Sequence, residues 1–237
     1  MSVSKITHIV YACIAGICLY IIAMGINRFS YAPIIPYLIN NHWVNEPQSG
    51  YIGSANFLGY FLGAYGAHKL TRFFNIRKIV IGILFASVLS SALCMMNLGF
   101  IWLSVCRLIV GIVAGGIMVL TPTMILDDIP DERKALISGI MFSGIGLGVA
   151  LTSLLIPDFY AWGNVTSIWA SLAVITLILG LIASVKLVKA PNIMEQDETH
   201  LLRLKGNERI IFFFAITGYA LYGIGLTPSL LFLSDYA

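Results

Sequence analysis

Seven long apolar runs, separated by polar connections, set the pattern of the chain. They are Ile9 to Ile39, Ser49 to Ala67, Ile79 to Met96, Leu98 to Leu126, Ala135 to Ile156, Trp162 to Val185 and Ile210 to Leu233. About 20 apolar residues carry a helix across the hydrocarbon core, so each run predicts a membrane-spanning helix. Gly, Ser and Ala are scattered inside the runs and the strict alternation of a membrane barrel is absent, which predicts an all-α bundle. The first run is too long for the apolar part of a secretory signal and contains no clean small-residue cleavage site, so it reads as a retained span.

Composition agrees. Of the 237 residues 59% are hydrophobic and 11% charged, against about 25% charged in soluble domains. The mean hydropathy is +0.91. So few charges would not cover a soluble fold of this size, and the sequence is that of an integral membrane protein.

The positions of the cations orient it. Lys5 precedes the first run. Lys69, Arg72, Arg77 and Lys78 fill the second connection, and Arg133 and Lys134 the fourth. Lys186, Lys189, Arg203, Lys205 and Arg209 fill the sixth. The odd-numbered connections hold none. The positive-inside bias therefore predicts a cytoplasmic N-terminus and, after seven spans, a C-terminus outside. The organisation expected is a six-helix transmembrane bundle over residues 1–185, a cytoplasmic linker over 186–209, and a seventh helix over 210–237. That last helix reads as the start of an incomplete second bundle, in a chain cut short.

Two charges break the apolar runs: Arg28, in "GINRFSYAPIIP" (Gly25 to Pro36), and Arg107. Arg28 lies about 11 residues, roughly 16 Å, before the outer end of the first run, and Arg107 about 8 residues, roughly 12 Å, after the outer start of the fourth. The two are thus expected at comparable depth. No Asp or Glu falls inside a run; Asp127, Asp158 and Asp235 stand at ends. An arginine at such depth faces a protein interior or an aqueous cavity. One reading is a cationic site for an anionic or hydroxyl-rich substrate. The other is a structural arginine, bound to carbonyls that the prolines expose or snorkelling outwards. Pro33 and Pro36 are expected to bend the first helix and free carbonyls. Tyr31, at i+3, is placed on the face of Arg28.

The second run, "SANFLGYFLGAYGA", sets Asn56 and Tyr60 at i, i+4. They read as cavity-facing polar residues, or, for Asn56, as an interhelical hydrogen bond. Tyr219 and Tyr222 are candidate lining residues in the seventh run. Gly59, Gly63, Gly111, Gly115, Gly144 and Gly148 recur at i, i+4 spacing and read as helix-packing surfaces.

Soluble-enzyme chemistry finds no support. "GIGLG" (Gly144 to Gly148) lies within an apolar run with no preceding strand, so it is no nucleotide loop. His8, His42, His68 and His200 lack metal-ligand spacing. Cys13, Cys18, Cys94 and Cys106 all lie inside apolar runs and read as small hydrophobes. No metal, cofactor or nucleic-acid site is predicted, and no catalytic residue.

The run order and several motifs resemble the major facilitator superfamily (MFS), within it the bacterial YbfB/YjiJ-type branch. "RLIVGIVAGG" (Arg107 to Gly116) is similar to the superfamily's fourth-helix motif, and "GIMFSGIGLGVA" (Gly139 to Ala150) to its glycine-rich fifth-helix motif. "PDERKALISG" (Pro130 to Gly139) resembles the usual entry to that fifth helix. The branch resemblance lies in Gly-x-x-Arg-Phe-x-Tyr-x-Pro of the first run and "SANFLGYFLGA" of the second. The resemblance implies an N-terminal bundle of two inverted three-helix repeats, with the seventh run opening the second bundle.

It also implies alternating-access transport of a small organic solute across the bacterial inner membrane, coupled to protons in the full-length form. Uptake and efflux are both open. The sequence departs from the family at its second connection, where "GAYGAHKLTRFFNIRK" lacks the motif's aspartate. Arg77 and Lys78 fit the motif, and Asn75 is expected to replace its turn glycine in a left-handed conformation. Asp127 and Asp128 become the candidate gate partners of that basic loop. Two other readings stand beside transport: a non-transporting remnant, and a seven-helix receptor or sensor, which the lysine distribution opposes.

Overall fold

Every described element is helical. The structure is a computed structural model that describes residues 3–127 and 129–187, together with Phe214, Thr217, Gly218 and Leu221. The first span is built in three pieces: α1 (Val3–Tyr20), a π-helical segment (Ile21–Phe29) and α2 (Tyr31–Asn40). Then follow α3 (Glu46–Leu70), α4 (Ile76–Leu93), α5 (Phe100–Leu126), α6 (Asp131–Ala161) and α7 (Val165–Leu187). The chain divides into two units, Met1–Met194 and Glu195–Ala237. In the second, the four described positions are helical; the rest of the expected seventh span, with Tyr219 and Tyr222, and nearly all of the expected linker lie outside the described residues.

Among the described residues five stretches are long and apolar enough to cross a membrane: Ile9–Asn40, Ile76–Leu93, Phe100–Leu126, Asp131–Ala161 and Val165–Ser184. The second expected span corresponds to α3, which at 25 residues has the length but also carries Glu46, Gln48, Ser54, Asn56, His68 and Lys69. The helix boundaries follow local chemistry. At the start of α3 a capping box forms: Asn45 Oδ1 accepts from Gln48 N at 3.0 Å, and Gln48 Oε1 accepts from Asn45 N at 3.0 Å. Each bond satisfies a backbone donor that a helix start leaves orphaned. Gly99, at φ +92°, precedes α5 in a conformation that side chains other than glycine's rarely adopt.

One local expectation is corrected. Asn75 does not stand in a left-handed turn; it is the N-cap of α4, at φ −59° and ψ 130°, and its side chain accepts from Arg77 N at 2.9 Å. An asparagine at a helix start gains more by capping an orphan N–H than by replacing glycine.

The main helix pairings fall into an exchange pattern. The second span packs on the fourth (α3 on α5), and the fifth on the first (α6 on α1 and the π-helical segment). The third packs on the fourth (α4 on α5), and the sixth on the first (α7 on α1). Exchanging the first three spans for the last three maps each pairing onto its counterpart. The α4–α7 and first–fourth contacts map onto themselves. That is the packing of two inverted three-helix repeats.

Glycines make both halves of the pattern possible. A Cβ at Gly59 would strike the Leu108 carbonyl oxygen, and one at Gly63 that of Ile112. From the other side, Cβ atoms at Gly111 and Gly115 would strike the Asn56 and Tyr60 carbonyl oxygens. On the second pairing, a Cβ at Gly144 would come to 2.6 Å from Ile17 O, and one at Gly148 to 2.9 Å from Gly25 Cα. All six glycines expected to pack helices do so, backbone against backbone.

The interior holds polar side chains beside apolar ones, with Asn27, Ser30, Asn56, Ser87, Arg107, Thr121 and Thr152 all buried, while large residues such as Phe61, Phe85, Ile101 and Leu154 are exposed. Such an exterior suits lipid, where no hydrophobic force drives helices together and packing with polar contacts must do so.

Gly63→Ala is expected to cost about 1–3 kcal/mol, because backbone on both sides must shift. Gly66→Ala, where a Cβ meets nothing within 4 Å, is expected to be neutral or stabilise by up to about 1 kcal/mol. Thermal unfolding of the two variants in detergent checks the pair.

Candidate functional site

The π-helical segment positions the site. Within it the pairing widens from i−4 to i−5, as Ser30 N donates to Gly25 O at 2.9 Å. Ser30 Oγ also donates to the Ile26 carbonyl. The break expected at Pro33 and Pro36 therefore lies earlier, and α2 runs through Pro36 as an α-helix. Pro33 falls in the first turn of α2, where an N–H would be unpaired in any case. Its ring crowds the carbonyl of residue 29, so the chain resets at Ser30 and the surplus is taken up in wide turns upstream.

At the centre stands Asn27, 0% exposed. Its carbonyl accepts from Arg107 Nη2 at 2.9 Å and from Asn56 Nδ2 at 3.3 Å. Its side chain is paired with Ser87 in both directions: Nδ2 donates to Ser87 Oγ at 2.9 Å, and Ser87 Oγ donates to Oδ1 at 3.1 Å. Asn56 Nδ2 also donates to the Arg107 carbonyl at 2.9 Å. One peptide unit of the first span is thus tied to α3, α4 and α5.

Arg107 is 1% exposed. Its guanidinium carbon lies 5.0 Å from the Tyr31 ring centroid and 5.8 Å from that of Trp169. Among the described residues Arg107 Nε and Trp169 Nε1 have no hydrogen-bond acceptor. A buried cation is costly to leave uncompensated. Here one carbonyl and two aromatic faces compensate it, and cation–π attraction strengthens when both partners are desolvated. Arg107 thus rests on a backbone carbonyl of the first span, at the residue preceding Arg28.

Arg28 is placed differently. It is half-buried, and its guanidinium carbon lies 4.2 Å from the Tyr60 ring centroid, 5.0 Å from Phe57 and 5.4 Å from Phe29. Tyr60 and Phe57 come from α3, Phe57 next to Asn56 and Tyr60 one turn beyond it. Tyr31, expected to share the face of Arg28, instead goes to Arg107; its hydroxyl donates to Ser49 O at 3.0 Å and it is 2% exposed. The wide turn ending at Ser30 shifts the angular register on which an i, i+3 face depends.

The structure therefore sorts the candidates into two groups: Arg107, Tyr31 and Asn56 in a buried network, and Arg28 with Tyr60 in an aromatic box. Asn27, Ser87, Trp169, Phe29 and Phe57 belong to these groups without having been singled out in the sequence. The signal that would have found Asn27 and Ser87 is the same as for Arg28, a polar side chain deep inside an apolar run.

At the far end, Arg77 is half-buried and Lys78 and Asp127 are exposed. Among the described residues no ion pair joins Asp127 to Arg77 or Lys78; the pair present there is Lys134 Nζ with Asp131 Oδ1, at 2.7 Å. Asp128 lies outside the described residues.

Residues 20–237 match the family described as "Uncharacterised MFS-type transporter YbfB". The chain belongs to this MFS family. It is similar to the benzoate transport protein of Acinetobacter baylyi, at 27% identity over 221 residues, covering 88% of this chain and 44% of that protein. Among solved structures it is similar to a bacterial homologue of the human lysosomal transporter Spinster in an inward-facing, unoccupied conformation. There the TM-score is 0.76 at 17% identity, over 97% of this chain and 55% of the other. It is also similar to the POT-family transporter PepTSo, with a TM-score of 0.63 at 15% identity over 95% and 51% of the two chains. A D-xylose–proton symporter gives 0.59 at 15% identity over 96% and 54%. At these identities the structures establish the fold, an MFS bundle. The chain spans about half the length of each of these relatives.

Tyr31→Phe keeps the ring beside Arg107 and removes the hydroxyl from Ser49 O, so it is expected to cost about 1 kcal/mol of stability. Thermal unfolding in detergent, compared with the unsubstituted protein, checks the loss.

Proposed function

We propose that the chain is the first bundle, with the start of the second, of a secondary active transporter that moves a small organic anion by alternating access. The observation that carries the reading is Arg28. It is a half-buried guanidinium set among Tyr60, Phe57 and Phe29, in a bundle whose described acidic residues stand at helix ends or in connections. A fixed cation beside aromatic faces recognises a carboxylate carried on a flat apolar body. The benzoate transport protein among the relatives supports an aromatic carboxylate over a hydroxyl-rich solute.

In this reading Arg28 and Tyr60 hold the substrate. Arg107, Tyr31 and Asn56 hold the frame. Arg77, Lys78, Asp127 and Asp128 form the gate at the basic end. The N-terminus is cytoplasmic, by the lysine and arginine bias, and the membrane is the bacterial inner membrane. Proton coupling belongs to the full-length form, its carboxylate being supplied by the second bundle.

The test is accumulation of labelled benzoate in proteoliposomes under an imposed pH gradient, with a protonophore as control. Uptake is expected to follow the gradient and to collapse with the protonophore. Arg28→Ala is expected to raise KM by on the order of tenfold or more, the loss of one charge-assisted hydrogen bond. Arg28→Lys should restore it only in part, since an ammonium lacks the planar fork. Benzoate transport with an unaltered KM in Arg28→Ala would overturn the assignment.

A further inference from the structure

We infer that Ser87 and Asn56 are positioning residues that act through Asn27 to hold Arg28 in its aromatic box. The inference rests on the reading of Arg28 as the substrate's cation. The peptide linking residues 27 and 28 is a rigid plane, so whatever fixes the Asn27 carbonyl fixes the backbone from which Arg28 projects. Two donors from two helices converge on that carbonyl, Arg107 Nη2 at 2.9 Å and Asn56 Nδ2 at 3.3 Å. The Asn27 side chain is held independently by the two-way pair with Ser87 on α4.

The hold matters here more than in a regular helix. The π-helical stretch Ile21–Phe29 departs from the regular i→i−4 ladder, a rare winding that is frequent at functional sites. Without external ties the turn carrying Arg28 would be free to rewind, which would rotate Arg28 away from Tyr60. Asn56 has a second part in this arrangement. It is one turn before Tyr60 on α3, so a single helix both ties the carbonyl and supplies the ring on which Arg28 rests.

The test needs no substrate. Arginine modification by phenylglyoxal, followed peptide by peptide with mass spectrometry on the purified protein, reports how open Arg28 is. Arg107, at 1% exposure, serves as the protected reference and Arg77 as the reference at a distant helix end. Ser87→Ala and Asn56→Ala are each expected to raise the Arg28 rate on the order of fivefold, the factor one lost buried hydrogen bond gives in a local opening equilibrium. The Arg77 rate should stay unchanged. Ser87→Thr, which keeps the hydroxyl, should restore the slow rate, and Ser90→Ala, at another buried serine of α4, should leave it unaltered.

Wild-type Arg28 reactivity in both folded variants would overturn the inference, as would an equal rise at Arg28 and Arg77 or the same rise in Ser90→Ala. Because the reagent reads Arg28 with no ligand present, a failed benzoate experiment leaves this outcome standing, and the reverse also holds.

Discussion

A single backbone carbonyl, that of Asn27, is the point on which the bundle depends. By insertion scales an arginine at mid-membrane costs about 2.5–3.5 kcal/mol, and it must find a partner to be retained. Arg107 finds one in a carbonyl of the neighbouring span. That partner lies within the stretch of the first span wound as a π-helix, Ile21–Phe29, so the irregular winding and the buried cation meet at one residue.

The same constraint explains why the helices approach so closely. A guanidinium on α5 reaches a carbonyl of the first span at 2.9 Å only if the first and fourth spans lie near each other, with α3 tucked alongside to supply Asn56. Gly59 and Gly63 on α3, set against Gly111 and Gly115 on α5, let the two backbones meet with no side chain between them. On the opposite pairing Gly148 meets Gly25, inside the π-helical segment itself. On that side a small residue of α6 lets backbone meet the first span's irregular stretch, whose residues Ile22 to Asn27 are buried within protein.

Much of this was legible in the sequence. The all-helical architecture, the five membrane-long stretches and the close glycine contacts follow from run length and spacing, because helical period and membrane thickness act on every residue in the same way. What spacing did not convey was where the first helix departs from regularity. Pro33 and Pro36 announced a disturbance, and the winding absorbed it upstream, at Ile21–Phe29. From that displacement came the misassigned partner of Tyr31, since an i, i+3 rule presumes the turn it is applied to. Asn75 is a milder instance. Its chemistry suited both a left-handed turn and a helix cap, and only the path of the chain decided for the cap. Asn27 went unnoticed beside Arg28 because the charge drew attention from the amide next to it.

The two arginines stand in different surroundings, one buried and one half-buried. Arg107 is enclosed, and its charge is spent inside the bundle on a carbonyl and two rings; replacing its contacts alters the frame. Arg28 is half-buried, with the rings of Tyr60, Phe57 and Phe29 gathered about its guanidinium, an arrangement in which cation–π attraction holds the side chain. The carbonyl that Arg107 holds belongs to the peptide from which Arg28 projects, so the buried network fixes the backbone on which the second guanidinium stands.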